Sequence, residues 1–135
     1  MKPNRVHVVD LMSTALVTVA ESDLVTEAQA RMAVGLIRHL PVVDDRGRLV
    51  GVLSDRDLLR VAATTRPLRV GEIMSRDVVT IRSDAPAHQA AALMLDHQIG
   101  SVAVVDDGDT LVGLVTQTDF LDVARRALLG LALER

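Results

Sequence analysis

Gly113-Leu114-Val115-Thr116-Gln117-Thr118-Asp119-Phe120 is the stretch whose reading decides the fold. Apolar Leu114 and Val115 after a glycine predict a buried strand that ends at Thr116. A helix over 117–127 follows, because Phe120, Leu121, Ala124 and Leu128 recur at the spacing of one helical face. Thr116 then stands as N-cap, with Thr118 and Asp119 in the first turn. Free N–H groups, two hydroxyls and one carboxylate make a polar corner at the mouth of a strand. The N–H groups suit an anion such as phosphate. The carboxylate can accept two hydrogen bonds from a vicinal diol, as on a ribose.

The corner occurs twice. Gly51-Val52-Leu53-Ser54-Asp55-Arg56-Asp57-Leu58 repeats the glycine, the hydroxyl and the last aspartate at the same spacing. Either copy alone also reads as an ordinary capped helix, since Ser, Thr and Asp are standard N-terminal residues. The copies extend well beyond the corner. Met12-Ser13 recurs as Met74-Ser75, Val17-Thr18-Val19 as Val79-Thr80-Ile81, and Ala28 and Met32 as Ala90 and Met94. Val42-Val43-Asp44-Asp45 recurs as Val104-Val105-Asp106-Asp107, and Leu49-Val50-Gly51 as Leu111-Val112-Gly113. The register holds without a gap from Leu11 to about Ala63, with roughly a third of positions identical, which marks one supersecondary unit used twice.

Each unit reads as strand–helix–strand–strand–helix. In the first copy the expected elements are a strand over 16–19, a helix from Leu24 with Asp23 as its cap, and a strand over 40–43. Val25, Ala28, Met32 and Leu36 share one face of that helix, and Gly35 favours its end. Pro41 predicts an edge position or an irregular entry for its strand. Asp44-Asp45-Arg46-Gly47 is a turn with Gly47 free to take a positive φ. A return strand to Leu53 and a helix to about Ala63 complete the unit. At the chain start, Val6, Val8 and Val9 are expected to pack, and Asp10-Leu11-Met12-Ser13 to form a single turn. The class is α+β: two βαββα repeats, each too small to bury its apolar faces alone, packed with pseudo-two-fold symmetry.

The 135 residues suffice for one core. A net charge of −3 gives no basic field for nucleic acid or an anionic membrane. Phe120 is the single aromatic residue, so base-stacking platforms are missing. Zero cysteines exclude disulfides, cysteine zinc sites and thiol catalysis. Neither a signal-peptide core behind Met1-Lys2-Pro3-Asn4-Arg5 nor an apolar run of ~18 residues is visible, so the expectation is a cytoplasmic chain.

The paired pattern resembles a tandem pair of cystathionine-β-synthase (CBS) domains, a Bateman module. It is carried by Asp10-Leu11-Met12-Ser13 and Gly71-Glu72-Ile73-Met74-Ser75 at the two starts. Ile37-Arg38-His39-Leu40-Pro41-Val42-Val43-Asp44 and Ile99-Gly100-Ser101-Val102-Ala103-Val104-Val105-Asp106 follow, and then the two corners. The resemblance implies repeats over 6–63 and 71–129 with a linker over 64–70. It implies a regulatory module that binds an adenosine nucleotide (AMP, ADP or ATP), or S-adenosylmethionine, in a cleft shared by the copies. One site would combine Thr116, Thr118 and Asp119 with Met12, Leu16, Arg38, His39 and Pro41. The backbone near Leu16 and Leu40 would read the adenine edge, and Pro41 would pack on its face. The other would combine Ser54, Arg56 and Asp57 with Met74, Val78, Gly100, Ser101 and Ala103. There Ala103 replaces the proline and Gly100-Ser101 replaces Arg38-His39, so unequal affinities are expected.

Several residues have plainer readings. His39 and Arg56 serve equally well as solvated surface groups or as phosphate contacts, with Arg38 the better phosphate partner. His88 and His97 are too far apart along one helix to share a metal, and none is assigned. Asp44-Asp45 and Asp106-Asp107-Gly108-Asp109 lack a calcium loop's pattern and read as turns. Met12, Met32, Met74 and Met94 read as core or pocket wall. No nucleophile–base pair stands out, so an enzyme is not expected; a dimerisation module with vestigial pockets is the alternative. A transporter or dehydrogenase fragment is a further reading, set against Met1 and the short tail after Leu129. Leu58, Leu59, Val61, Ala62, Phe120, Leu121, Val123 and Ala124 leave apolar surface over, which predicts a homodimer. An unidentified regulated protein is the other expected partner.

Overall fold

The computed structural model describes residues 6–35 and 37–133, with side chains as far as 130. In order, the elements are α1 (Val8–Leu11), β1 (Val19–Ala20), α2 (Val25–Gly35), β2 (His39–Val43), β3 (Leu49–Ser54) and α3 (Asp55–Arg60). Then come α4 (Val70–Ile73), β4 (Thr80–Arg82), α5 (Ala87–His97), β5 (Ser101–Val105), β6 (Leu111–Thr116) and α6 (Gln117–Leu133). The βαββα plan expected of each repeat is present twice.

The chain forms two compact bodies. The first holds Ala15–Val78 with Asp107–Leu111. Its three-stranded sheet has the order β1-β2-β3, with β1 parallel and β3 antiparallel to β2. Val19, Ala28, Met32, Leu40, Val42, Leu53, Val70 and Met74 make its core. The second body holds the segment ending at Thr14, Val79–Asp106 and the chain from Val112. Its sheet has the order β4-β5-β6, and Val8, Ile81, Ala90, Met94, Val102, Val104 and Val115 form its core. Fully burying a side chain of this kind contributes about 1.5–3 kcal/mol, so a handful of them outweighs any single polar contact in the body.

Each body takes its lead-in from the segment preceding the repeat on the other side of it. α1 packs in the second body: Val8 N–H donates to Ala85 O at 2.9 Å, and Ser13 and Leu114 exchange backbone bonds at 2.9 and 3.0 Å. The stretch from Leu68 to Ser75 does the same in the first. Val25 N–H donates to Leu68 O, Val70 N–H to Asp23 O, and Val52 and Ser75 exchange bonds at 2.9 Å each.

Several local expectations are corrected. The first strand is confined to Val19–Ala20, since only these residues pair with Val42 and Val43. α2 begins at Val25, and Asp23 turns its carboxylate back to the Ala20 N–H at 2.9 Å instead of capping the helix. Val25, Ala28 and Met32 are its buried face, and Leu36 lies outside the described residues. β2 is the central strand of its sheet despite Pro41. Pro41 faces Val52, whose N–H and C=O both point outward to Ser75. The Pro41–Val52 pair is therefore a non-hydrogen-bonded one, and the missing N–H falls beyond the end of short β1. α3 stops at Arg60, short of Ala63, while α6 runs on to Leu133. At the start Val8 alone of the three valines is buried, and the single turn lies at Val8–Leu11.

The hairpin turn follows expectation. Gly47 has φ 78°. Asp44 Oδ1 accepts the N–H groups of Arg46 and Arg48, each at 2.9 Å. The Arg48 N–H, then that of Arg46 and the Arg48 charge, hold the Asp44 carboxyl below its ordinary pKa.

Candidate functional site

Both corners form where an outer strand runs straight into a helix. In the first body β3 ends at Ser54, the N-cap of α3. The Asp57 N–H donates to Ser54 Oγ at 3.3 Å. In return the Ser54 N–H and hydroxyl donate to Asp57 Oδ2 at 2.8 and 3.0 Å. This reciprocal box satisfies helix-start donors that would otherwise lack a partner. Asp57 is 6% exposed and is the one buried charged residue among the described residues. Its other oxygen, Oδ1, accepts from Arg60 Nη2 one turn further on.

In the second body α6 begins directly after Thr116. The Thr116 N–H donates to Asp119 Oδ2 at 2.8 Å and its hydroxyl does so at 3.4 Å. Asp119 Oδ1 has no protein donor among the described residues. The residue matching Arg60 is Asp122, which is held by Arg125 at 2.6 Å and Arg126 at 2.9 Å. Each aspartate thus spends one oxygen on its own helix start. Only Oδ1, with two lone pairs, is left to receive a diol.

The Met lead-ins floor both corners, and this explains the glycine that opens each motif. A Cβ on Gly51 would stand 2.6 Å from Met74 Sδ, and one on Gly113 would stand 2.5 Å from Met12 Sδ. Within the first body, the Asp55 N–H donates to Arg38 O at 3.0 Å and His39 pairs with Ser54. Arg38, His39, Ser54 and Asp57 are therefore neighbours. Arg38, His39 and Arg56 are exposed, Leu16 and Val78 half-buried, and Leu40 and Pro41 buried. Within the second body, the Gln117 N–H donates to Gly100 O at 3.1 Å, which brings half-buried Ser101 near Thr116 and Asp119. Thr118 is exposed there and Met12 half-buried. Among the described residues no three His, Asp or Glu side chains converge to hold a metal, and no helix is long and apolar enough to cross a membrane. Arg60 was not singled out in the sequence, although its three-residue spacing from Asp57 is the signal of a helical ion pair.

The CBS domain model matches residues 8–64 and 70–126. The chain belongs to the CBS domain family, as a tandem pair. A CBS domain-containing protein of Dictyostelium discoideum is 33% identical, with 92% of this chain and 94% of that protein covered. The crystal structure of the CBS domain pair of protein MJ0100 with 5′-methylthioadenosine and S-adenosyl-L-methionine superposes with TM-score 0.83 at 31% identity, covering 92% of this chain and 99% of that one. The structure of CBSX2 with AMP gives TM-score 0.81 at 29% identity, over 90% and 97% of the two chains. Other curated relatives are much longer: the chain spans about a fifth of their length.

Proposed function

We propose that this chain is a regulatory module that binds an adenosine-containing ligand and catalyses no reaction of its own. The observation that carries this reading is the duplicated hydroxyl–aspartate corner, in a chain similar along nearly its whole length to CBS pairs solved with AMP, 5′-methylthioadenosine and S-adenosylmethionine. The ribose hydroxyls donate to the open oxygen of Asp119, beside Thr116 and Thr118. Met12 adds to that corner, and the module's further ligand contacts are Arg38 and His39 for phosphate, Pro41 for the base, and the backbone near Leu16 and Leu40 for the adenine edge. Ser54, Arg56 and Asp57 form the other corner with Met74, and Val78, Ser101 and Ala103 are further contacts of the module. Repeat boundaries at 6–63 and 71–129 belong to the same proposal.

The module acts as a homodimer in the cytoplasm and passes ligand occupancy to a regulated protein. Support for self-association comes from the helix faces. Leu59 is 74% and Leu121 69% exposed, and a groove of about 440 Å³ on the second body is lined by Met94, Leu95, Phe120, Leu121 and Ala124. Apolar surface of that kind suits an isologous contact.

A thermal-shift panel with AMP, ADP, ATP, NAD and S-adenosylmethionine tests the reading. A ligand at a hundredfold excess over its Kd adds about 2.7 kcal/mol of stability. A shift with at least one adenosine compound and no turnover of it is expected. No shift with any of them overturns the reading, and turnover makes the chain an enzyme.

A further inference from the structure

We propose that Arg60 sets the ligand affinity of the first corner by competing for the Asp57 oxygen that a ribose diol needs. This rests on the adenosine-binding reading above. Asp57 Oδ2 already accepts the Ser54 N–H and hydroxyl at 2.8 and 3.0 Å, which uses both of its lone pairs. Oδ1 is the one acceptor left, and Arg60 Nη2 is bonded to it. The Asp57 side chain is 8% exposed, so little of the carboxylate is open to a second donor from outside. The Arg60 side chain is 70% exposed and can swing into solvent. A diol entering this corner must therefore displace the guanidinium.

The second corner is the internal control. Asp119 Oδ2 has the same two donors from Thr116. The residue one turn on is Asp122, a carboxylate in place of the guanidinium, and it is itself held by Arg125 and Arg126. One motif is thus built twice, once with an internal donor on the diol oxygen and once without. An ion pair with one exposed partner is worth a two- to fivefold factor in competition, roughly, and less at high salt.

The test is calorimetric titration of the full chain with AMP and with adenosine. Asp119→Ala isolates the first corner. Adding Arg60→Met, which keeps the apolar stem of the arginine, should tighten binding of both compounds about two- to fivefold. In the reverse experiment, Asp122→Arg in an otherwise unchanged chain should weaken the second corner by about the same factor. Unchanged or weaker binding with Arg60→Met overturns the proposal. So does a loss confined to AMP, which would make Arg60 a phosphate contact. Binding by wild type without a gain from Arg60→Met removes the competition alone; no binding by wild type removes it together with the reading it rests on.

Discussion

Met74 lies so closely over Gly51 that a Cβ at that position would meet its Sδ at 2.6 Å and the Ser75 carbonyl oxygen at 2.8 Å. The Gly113 contacts are different in kind: Sδ, Cγ and Cβ of Met12, all in one flexible side chain. A thioether can rotate away, but a carbonyl held in a two-bond bridge to Val52 cannot without breaking it. Gly51→Ala should therefore destabilise the protein by about 1–3 kcal/mol, and Gly113→Ala by less. Urea denaturation midpoints of the two variants measure the difference, and equal losses would show that the Ser75 carbonyl is not the obstacle.

Binding of an adenosine nucleotide should depend chiefly on Asp119. Removing an acceptor from a charge-assisted pair costs about 1.5–3 kcal/mol, so Asp119→Ala should weaken affinity roughly ten- to hundredfold. Asp57→Ala should do less, since the Asp57 oxygen left for a diol already accepts from Arg60. Titration of both variants with AMP decides, and the reverse ranking refutes this order of the sites.

Sedimentation at micromolar concentration should give a species of twice the 14.5 kDa chain mass. Replacing exposed Leu121 by Asp should shift it toward monomer, because a charge at the centre of an apolar contact loses its hydration. A wild-type chain that sediments as monomer alone would end the dimer proposal.

Gln98 closes α5 in the left-handed region, at φ 55°. A side chain there costs about 1–2 kcal/mol, which glycine avoids at some entropic expense. Gln98→Gly should raise stability by about 0.5–1 kcal/mol. A lower thermal midpoint for this variant would mean that the Gln98 side chain contributes more than the backbone strain removes.

The carboxyls of Asp44 and Glu72 are both held below their ordinary pKa. The first cause is the Arg48 N–H for Asp44 and the Arg69 N–H for Glu72, with Arg66 adding to the latter. A depressed folded pKa means that their stabilisation is present above the unfolded value, near pH 4, and is lost as pH falls through the folded one. Stability should drop below about pH 4. Asp44→Asn should show a shallower acid limb than wild type, and superimposable limbs would exclude Asp44 as a contributor.

The repeat and its corners were legible because they are local. Gly–x–x–hydroxyl–x–x–Asp fixes a strand end, a cap and a first-turn carboxylate within eight residues. The Gly47 turn is equally local. What stayed hidden depended on distant partners. Pro41 reads as an edge signal until Ser75 is seen to take the outward groups of Val52. Leu16-Val17-Thr18 has strand composition, yet pairing in its sheet starts only at Val19. The diol reading of Asp57 was visible, but the Arg60 hydrogen bond to its remaining oxygen depends on a rotamer that composition does not fix.

The exchanged lead-ins carry a consequence for biosynthesis. α1 leaves the ribosome well before its backbone partners Ser83 and Ala85, which belong to the later half of this sequence. The first sheet must likewise wait for Ser75, and its hairpin turn for Asp109 and Leu111. At roughly 5–20 residues per second, the nascent helix spends several seconds with Val8 uncovered. A ribosome stalled at the repeat boundary would present a half-chain whose own first segment has nothing to close on. The first half therefore completes its hairpin contacts only once Leu111 has been made, and α1 is covered only once the second half reaches Ala85.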